Sequence, residues 1–157
     1  MDFAFSEEQE ELRKVAADFL TNKSSEAEVR RLMDTDEGYD PAVWSQMADQ
    51  LGLQGLAIPE EYGGSGFSYV ELCVIFEEMG RRLLCAPFFS TVALAANALL
   101  ASGDDAAKRE HLPGIASGET IATVAFTEES GRWDESGIEM EAAASGDAYT
   151  LSGTKSY

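Results

Sequence analysis

The residues best suited to chemistry follow an apolar run late in the sequence. Residues 121–126 are β-branched, small or aromatic, and Thr127 comes directly after them. Such a run predicts a buried strand, and loops that leave buried strands often carry function. The polar loop that follows contains Arg132, which can pair with a phosphate, and Trp133, which can stack on an aromatic ring. Both side chains could equally fill the space that such a ligand would occupy. Taken by residue type alone, Thr127 is a strand-ending threonine.

Other reactive residue types give weaker signals. Cys73 and Cys85 are twelve residues apart without a CxxC pair, so we expect two reduced, buried structural thiols and no metal site. His111, the only histidine, has no apparent partner, which favours a helix-end or surface position. The glycine-rich loop over 63–66 could cradle a phosphate, but it lacks GxGxxG and GK[ST], which favours a structural turn.

The charge excludes two classes of partner. The chain has 11 basic and 29 acidic residues and a net charge of −18, which repels nucleic acid and anionic lipid. The acidic N-terminus lacks the apolar core of a signal peptide, and no run is long enough to span a bilayer. We therefore expect a cytoplasmic protein, in which an anionic ligand needs a local cationic or helix-end site.

The pattern predicts a mainly α fold. It comprises a helical bundle over 1–118 and the first strands of an incomplete β domain over 119–157, since two or three strands are not stable alone. We expect residues 92–101, capped by Ser90 or Thr91, to form a central helix or pocket wall, and the last helix to end near His111. N-cap residues mark four further helix starts: Ser6, Ser25, Asp40 and Ser68.

Four segments in series resemble the acyl-CoA dehydrogenase family of flavin enzymes. They are FSEEQEELRKVAADFL, LGLQGLAIPEEYGGSGFSYVELCVIFEEMGR, KREHLPGIASGETIATVAFTE and LSGTKSY. The resemblance covers the whole sequence and corresponds to the N-terminal part of such an enzyme. It implies an N-terminal helical bundle, a middle β domain and a C-terminal helical bundle, of which this sequence holds the first and about a third of the second.

The resemblance also implies a site for FAD. Phe126 and Thr127 stand where the family lines the flavin ring and hydrogen-bonds it, and Tyr157 stands where an aromatic residue packs against it. Arg132 and Trp133 replace a glycine and a serine of the family's pattern, and we include Trp133 among the cofactor-binding residues. The helix over 92–101 corresponds to the acyl-pocket wall and presents small side chains that predict a bulky acyl group, or else close packing in a filled core: Ala93, Ala95 and Ala96.

The implied activity is α,β-desaturation of an acyl-CoA thioester with hydride transfer to FAD, in β-oxidation of a fatty acid or a sterol side chain. An electron-transfer flavoprotein or similar acceptor and a homo- or hetero-oligomer of such subunits are the implied partners. The family's catalytic glutamate lies in the C-terminal bundle, so no residue of this sequence is nominated as catalytic. Two alternatives stay open: a non-catalytic partner subunit of a heteromeric enzyme, and a structural helical module without flavin.

Overall fold

The computed structural model describes residues 4–156 and divides the chain into two compact units, Met1–Thr123 and Val124–Tyr157. The first unit is helical. No helix in the described part is both long and apolar enough to cross a membrane. The α-helices of the first unit, over the residues that are described, are α1 Glu7–Lys23, α2 Glu26–Met33, α3 Pro41–Asp49, α4 Tyr69–Arg81, α5 Asn97–Ala101 and α6 Asp105–Ala116. A π-helical segment, Phe89–Ala96, runs directly into α5, and short 3₁₀ turns occupy Leu53–Gly55 and Glu60–Tyr62.

The predicted N-caps form as the sequence indicates, and two of them are joined to each other. Ser6 and Gln9 exchange the two hydrogen bonds of a capping box at the start of α1, and Ser68 and Glu71 do so at the start of α4. The Gln9 side chain also donates to a Glu71 carboxylate oxygen at 2.7 Å. The N-termini of α1 and α4 are therefore fixed together by their own capping residues.

The first unit is built around two buried apolar clusters. Each is made by the faces that the helical periodicity predicts, so burial of these side chains holds the helices together. The larger joins α1, α3 and α4 through Leu20, Trp44, Met47, Leu53, Ile75 and Phe88. The smaller joins α6 to the π-helical segment through Ile58, Tyr62, Ala96, Leu112 and Ile115.

Two predicted helix boundaries were wrong. Helix α6 continues to Ala116 with Pro113 inside it, and the next turn is closed by the Ser117 N–H, which donates to the Pro113 carbonyl at 3.0 Å. The other boundary is the start of the helix that follows Pro87, which begins before the predicted caps. The Ser90 hydroxyl donates to the Pro87 carbonyl, and the Thr91 hydroxyl donates to the Ala122 carbonyl, so neither serves as an N-cap.

The predicted buried strand over 121–126 is not formed. Exposed and half-buried side chains alternate along it as in a strand, but none of the six residues is buried, and Ile121 is exposed. A strand needs a ladder of backbone hydrogen bonds to a neighbour. Within the described residues, the Ala122 N–H instead donates to the Thr91 hydroxyl at 3.2 Å, and no second extended segment pairs with this one.

The second unit contains one β-hairpin. Strands β1 Ala142–Ser145 and β2 Ala148–Leu151 pair antiparallel with Ser145 opposite Ala148. Gly146, at φ +63°, supplies the left-handed residue that a two-residue turn requires. The predicted third strand over 155–157 is absent from residues 155 and 156, and Tyr157 lies outside the described residues.

Candidate functional site

Phe126 and Thr127 are held by the end of the described chain. The Ser156 N–H donates to the Thr127 carbonyl at 2.8 Å, and the Lys155 ammonium donates to the Phe126 carbonyl at 3.3 Å. Because both bonds engage backbone carbonyls, they fix the backbone and leave the two side chains available for other contacts. Two segments that lie 29 residues apart in sequence are thereby brought together.

Glu128 is the centre of this arrangement. Its carboxylate accepts hydrogen bonds from the Lys155 ammonium at 2.6 Å and from the backbone N–H groups of Glu139 and Met140 at 2.8 and 3.1 Å. The hydrogen bond from Lys155, followed by that from the Glu139 N–H, lowers the pKa of Glu128 from its ordinary value. Glu128 thus holds the proposed ligand-lining residues, the start of the hairpin and Lys155 in one position.

Glu128 and Lys155 were missing from the residues predicted for the site. The only local signals were the adjacent threonine and glutamate at 127–128 and the Gly-Thr-Lys step at 153–155. Neither signal indicates an ion pair, because the partners are 27 residues apart. The pair is recognised only when the fold brings them together.

The Thr127 hydroxyl is suited to a ligand. The residue is 4% exposed, yet among residues 4–156 its hydroxyl makes no hydrogen bond. Within the described residues the fully buried side-chain atom without a partner is Gln54 Oε1, so the Thr127 hydroxyl is not sealed from solvent and is free to bond a ligand. A hydroxyl can both donate to an acceptor and accept from a donor of that ligand.

Trp133 lies against Phe126. Their ring centroids are 5.4 Å apart at an interplanar angle of 87°, an edge-to-face contact. The indole is otherwise 73% exposed. Arg132 donates to the Ser136 hydroxyl at 2.9 Å, so its guanidinium is engaged within its own loop. The second unit therefore brings Phe126, Thr127 and Trp133 together, while the prediction for Tyr157 lies outside the described residues.

The predicted pocket alanines lie in the first unit. Ala95 and Ala96 are buried and Ala93 is half-buried. Ala96 packs in the smaller apolar cluster with Tyr62 and Leu112. These contacts favour the close-packing interpretation, and the role of the three alanines in binding an acyl group stays a prediction.

The glycine-rich loop uses its own amides. The N–H groups of Ser65, Gly66 and Phe67 donate to the carbonyls of residues 55, 58 and 56, each at 2.9 Å. Amides engaged in this way cannot cradle a phosphate, which favours the structural turn. A Cβ on Gly64 would lie 2.0 Å from the Ile58 carbonyl oxygen, so the turn requires glycine there.

The remaining reactive residues do not form a site. His111 is exposed. The prediction of two buried thiols was wrong, because Cys73 is exposed and Cys85 is half-buried. Within residues 4–156 no group of three or more histidine, cysteine or acidic side chains is placed to hold a metal ion.

Comparison with known proteins gives consistent relatives. Residues 6–119 match the family described as "Acyl-CoA dehydrogenase, N-terminal domain". Acyl-CoA dehydrogenase IpdE2 of Mycolicibacterium smegmatis is 39% identical over 124 residues, which are 79% of this chain and 38% of that protein. The ChsE4-ChsE5 complex from Mycobacterium tuberculosis superposes with a TM-score of 0.85 at 28% identity, over 99% of this chain and 41% of that one.

A third relative bears on the cofactor. The acyl-CoA dehydrogenase from Bacillus anthracis, solved in complex with FAD, superposes with a TM-score of 0.80 at 28% identity, over 95% of this chain and 26% of that one. The chain thus spans well under half the length of the relatives it matches. Because the family match covers most of the sequence and the fold agrees over nearly all of it, the chain belongs to the acyl-CoA dehydrogenase family.

Proposed function

We propose that the chain is the N-terminal portion of a flavin-dependent acyl-CoA dehydrogenase subunit. Its proposed reaction is α,β-desaturation of an acyl-CoA thioester. The observation that carries the proposal is the unpaired hydroxyl of Thr127, held beside Phe126 at the position where the family contacts its cofactor. When bound, FAD supplies the acceptor for the hydride that leaves the β-carbon of the acyl group.

Residues of this chain fit a flavin ring edge. A hydroxyl and an aromatic side chain suit a cofactor that is both polar at its edge and apolar on its faces. The Thr127 hydroxyl would donate a hydrogen bond to the ring, which would stabilise negative charge there. The Phe126 ring excludes water from the same edge, which strengthens that hydrogen bond.

The Glu128–Lys155 pair positions these two residues. The ammonium holds the Phe126 carbonyl, and the carboxylate binds the backbone N–H groups of Glu139 and Met140. With the backbone fixed from two sides, less of this segment has to be ordered when the ligand binds.

A non-catalytic partner subunit is the second candidate. It is favoured by Trp133, whose ring already makes an edge-to-face contact with Phe126. The indole can then occupy space that a cofactor ring would need. The similar ChsE4-ChsE5 complex contains two different subunits. An assembly of unlike subunits is therefore compatible with both candidate functions.

The experiment compares flavin binding by the full-length protein and its Thr127→Val variant. Val keeps the shape of threonine and removes the hydroxyl. Loss of one hydrogen bond of about 1 kcal/mol weakens FAD binding about fivefold. Bound flavin is measured from its visible absorbance per chain, and its release from the recovery of flavin fluorescence.

Two further variants make the test specific. Thr123→Val changes an exposed threonine on the preceding segment and leaves FAD binding unchanged. Trp133→Ser removes the indole from Phe126. If the full-length protein is folded and colourless, and Trp133→Ser gains FAD, the non-catalytic candidate replaces the first. Equal FAD binding by wild type and Thr127→Val refutes the role of the hydroxyl.

A further inference from the structure

A groove of about 400 Å³ lies in the first unit between α2 and the C-terminal end of α4. We call it the Leu83 groove. Its apolar lining is Val29, Met33 and Leu83, and the side chains of Met33 and Leu83 are 72% and 70% exposed. Its charged lining consists of three arginines and one carboxylate: Arg30, Arg81, Arg82 and Glu26.

Leu83 has a backbone conformation that normally belongs to glycine. Its φ is +50°, the only positive value among the described residues other than glycine. It closes α4 in a Schellman motif, in which the Leu83 N–H donates to the Gly80 carbonyl at 3.2 Å and the Leu84 N–H to the Met79 carbonyl at 3.1 Å. A leucine side chain makes this conformation less favourable than glycine would.

The side chain of Leu83 does not recover that cost within the described chain. Because it is mostly exposed, it gains little from burial. Glycine would complete the same hydrogen bonds without strain. The Leu83 side chain is therefore available for a contact outside the described residues.

The arginines indicate the charge of that molecule. Arg30 pairs with Glu26 at 2.9 Å and Arg81 with Glu77 at 2.8 Å. Among the described residues, the Arg82 guanidinium donates only to the Thr21 hydroxyl, at 2.8 Å. No carboxylate of residues 4–156 lies within 4.0 Å of the Arg82 guanidinium. In a chain with net charge −18, an unpaired cation beside exposed apolar side chains selects a carboxylate next to an apolar group.

We propose that the Leu83 groove docks a segment of a partner protein that carries carboxylates beside a leucine-like side chain. The apolar side chain of the partner packs against Met33 and Leu83, and its carboxylate pairs with Arg82. A second copy of this chain is disfavoured, because each copy carries a net charge of −18.

The test uses the full-length protein and a defined probe. The probe is a fluorescein-labelled helical peptide with two leucines on one face flanked by glutamates, and a matched peptide has lysine in place of glutamate. We expect saturable binding of the acidic peptide, measured by fluorescence anisotropy. Arg82→Glu weakens it by about tenfold, and the lysine peptide binds weakly or not at all.

Leu83→Gly separates an effect on docking from an effect on folding, because we expect it to increase the stability of the protein and to weaken peptide binding. It raises the thermal unfolding midpoint by relieving the left-handed strain, yet it weakens peptide binding by about tenfold. Leu151→Ala alters an equally exposed leucine in the second unit and leaves binding unchanged. Absence of saturable binding, equal binding of both peptides, or unchanged binding by Leu83→Gly each overturns the proposal. Concentration-dependent self-association that Arg82→Glu abolishes assigns the groove to a second copy instead.

Discussion

Gly118 is the position at which a single methyl group has the most predictable effect on the first unit. Its φ is +77°, and an added Cβ would lie 2.8 Å from the Ala48 Cβ, 3.4 Å from the Gln54 side-chain nitrogen and 3.6 Å from the Trp44 indole nitrogen. Its carbonyl also accepts the Trp44 indole N–H at 2.8 Å. Any shift that makes room for the methyl group therefore strains this bond.

The expected cost of Gly118→Ala has two parts. The left-handed conformation costs alanine about 1 kcal/mol relative to glycine. Insertion of a methyl group into a closely packed site costs a further ~1–3 kcal/mol. Gly103 provides the matched control, because it has φ +72° and no atom within 4 Å of its added Cβ. Gly103→Ala therefore carries the first cost alone, about 1 kcal/mol.

The assay is equilibrium unfolding in urea, with the free energy of unfolding compared between the two variants. Both replace glycine by alanine, so the effect on the unfolded chain cancels in the difference. We expect Gly118→Ala to be less stable than Gly103→Ala by about 1–3 kcal/mol. Ala48→Gly, combined with Gly118→Ala, should recover part of that loss. A difference between the two alanine variants within about 0.5 kcal/mol would refute the steric argument.

Two other substitutions test separate features. The hydrogen bond from Gln9, followed by that from Ser68, lowers the pKa of Glu71 to about 2 from 4.5, so its contribution to stability is complete above pH 4.5 and is lost as the pH falls towards 2. Glu71→Gln should cost about 1 kcal/mol at neutral pH and flatten the pH dependence of unfolding in that window; an unchanged dependence would contradict the linkage. Ala95→Leu overfills a buried position and should lower the free energy of unfolding by about 1–3 kcal/mol. Selective loss of activity towards bulky acyl groups would support a pocket role for Ala95, and equal loss for short ones would refute it.

The helical unit could be predicted well because its signals are local. A serine and a glutamine or glutamate three residues later determine the capping boxes at Ser6 and Ser68, and apolar periodicity determines the buried faces. The errors arose where tertiary contacts outweighed local preference. The Thr91 hydroxyl bonds to the backbone of Ala122 instead of capping a helix, and Pro113 is accommodated within α6.

The candidate site was only partly predictable for the same reason. Phe126 and Thr127 could be named because the resemblance is a property of consecutive residues. The ion pair that positions them joins Glu128 to Lys155, and no local pattern connects two residues 27 positions apart. A glutamate with backbone N–H donors and an ammonium around it is fixed in place, so it orders its neighbours whatever their side chains are. That is why the backbone position of Thr127 depends on a residue whose own chemistry would not have marked it as part of the site.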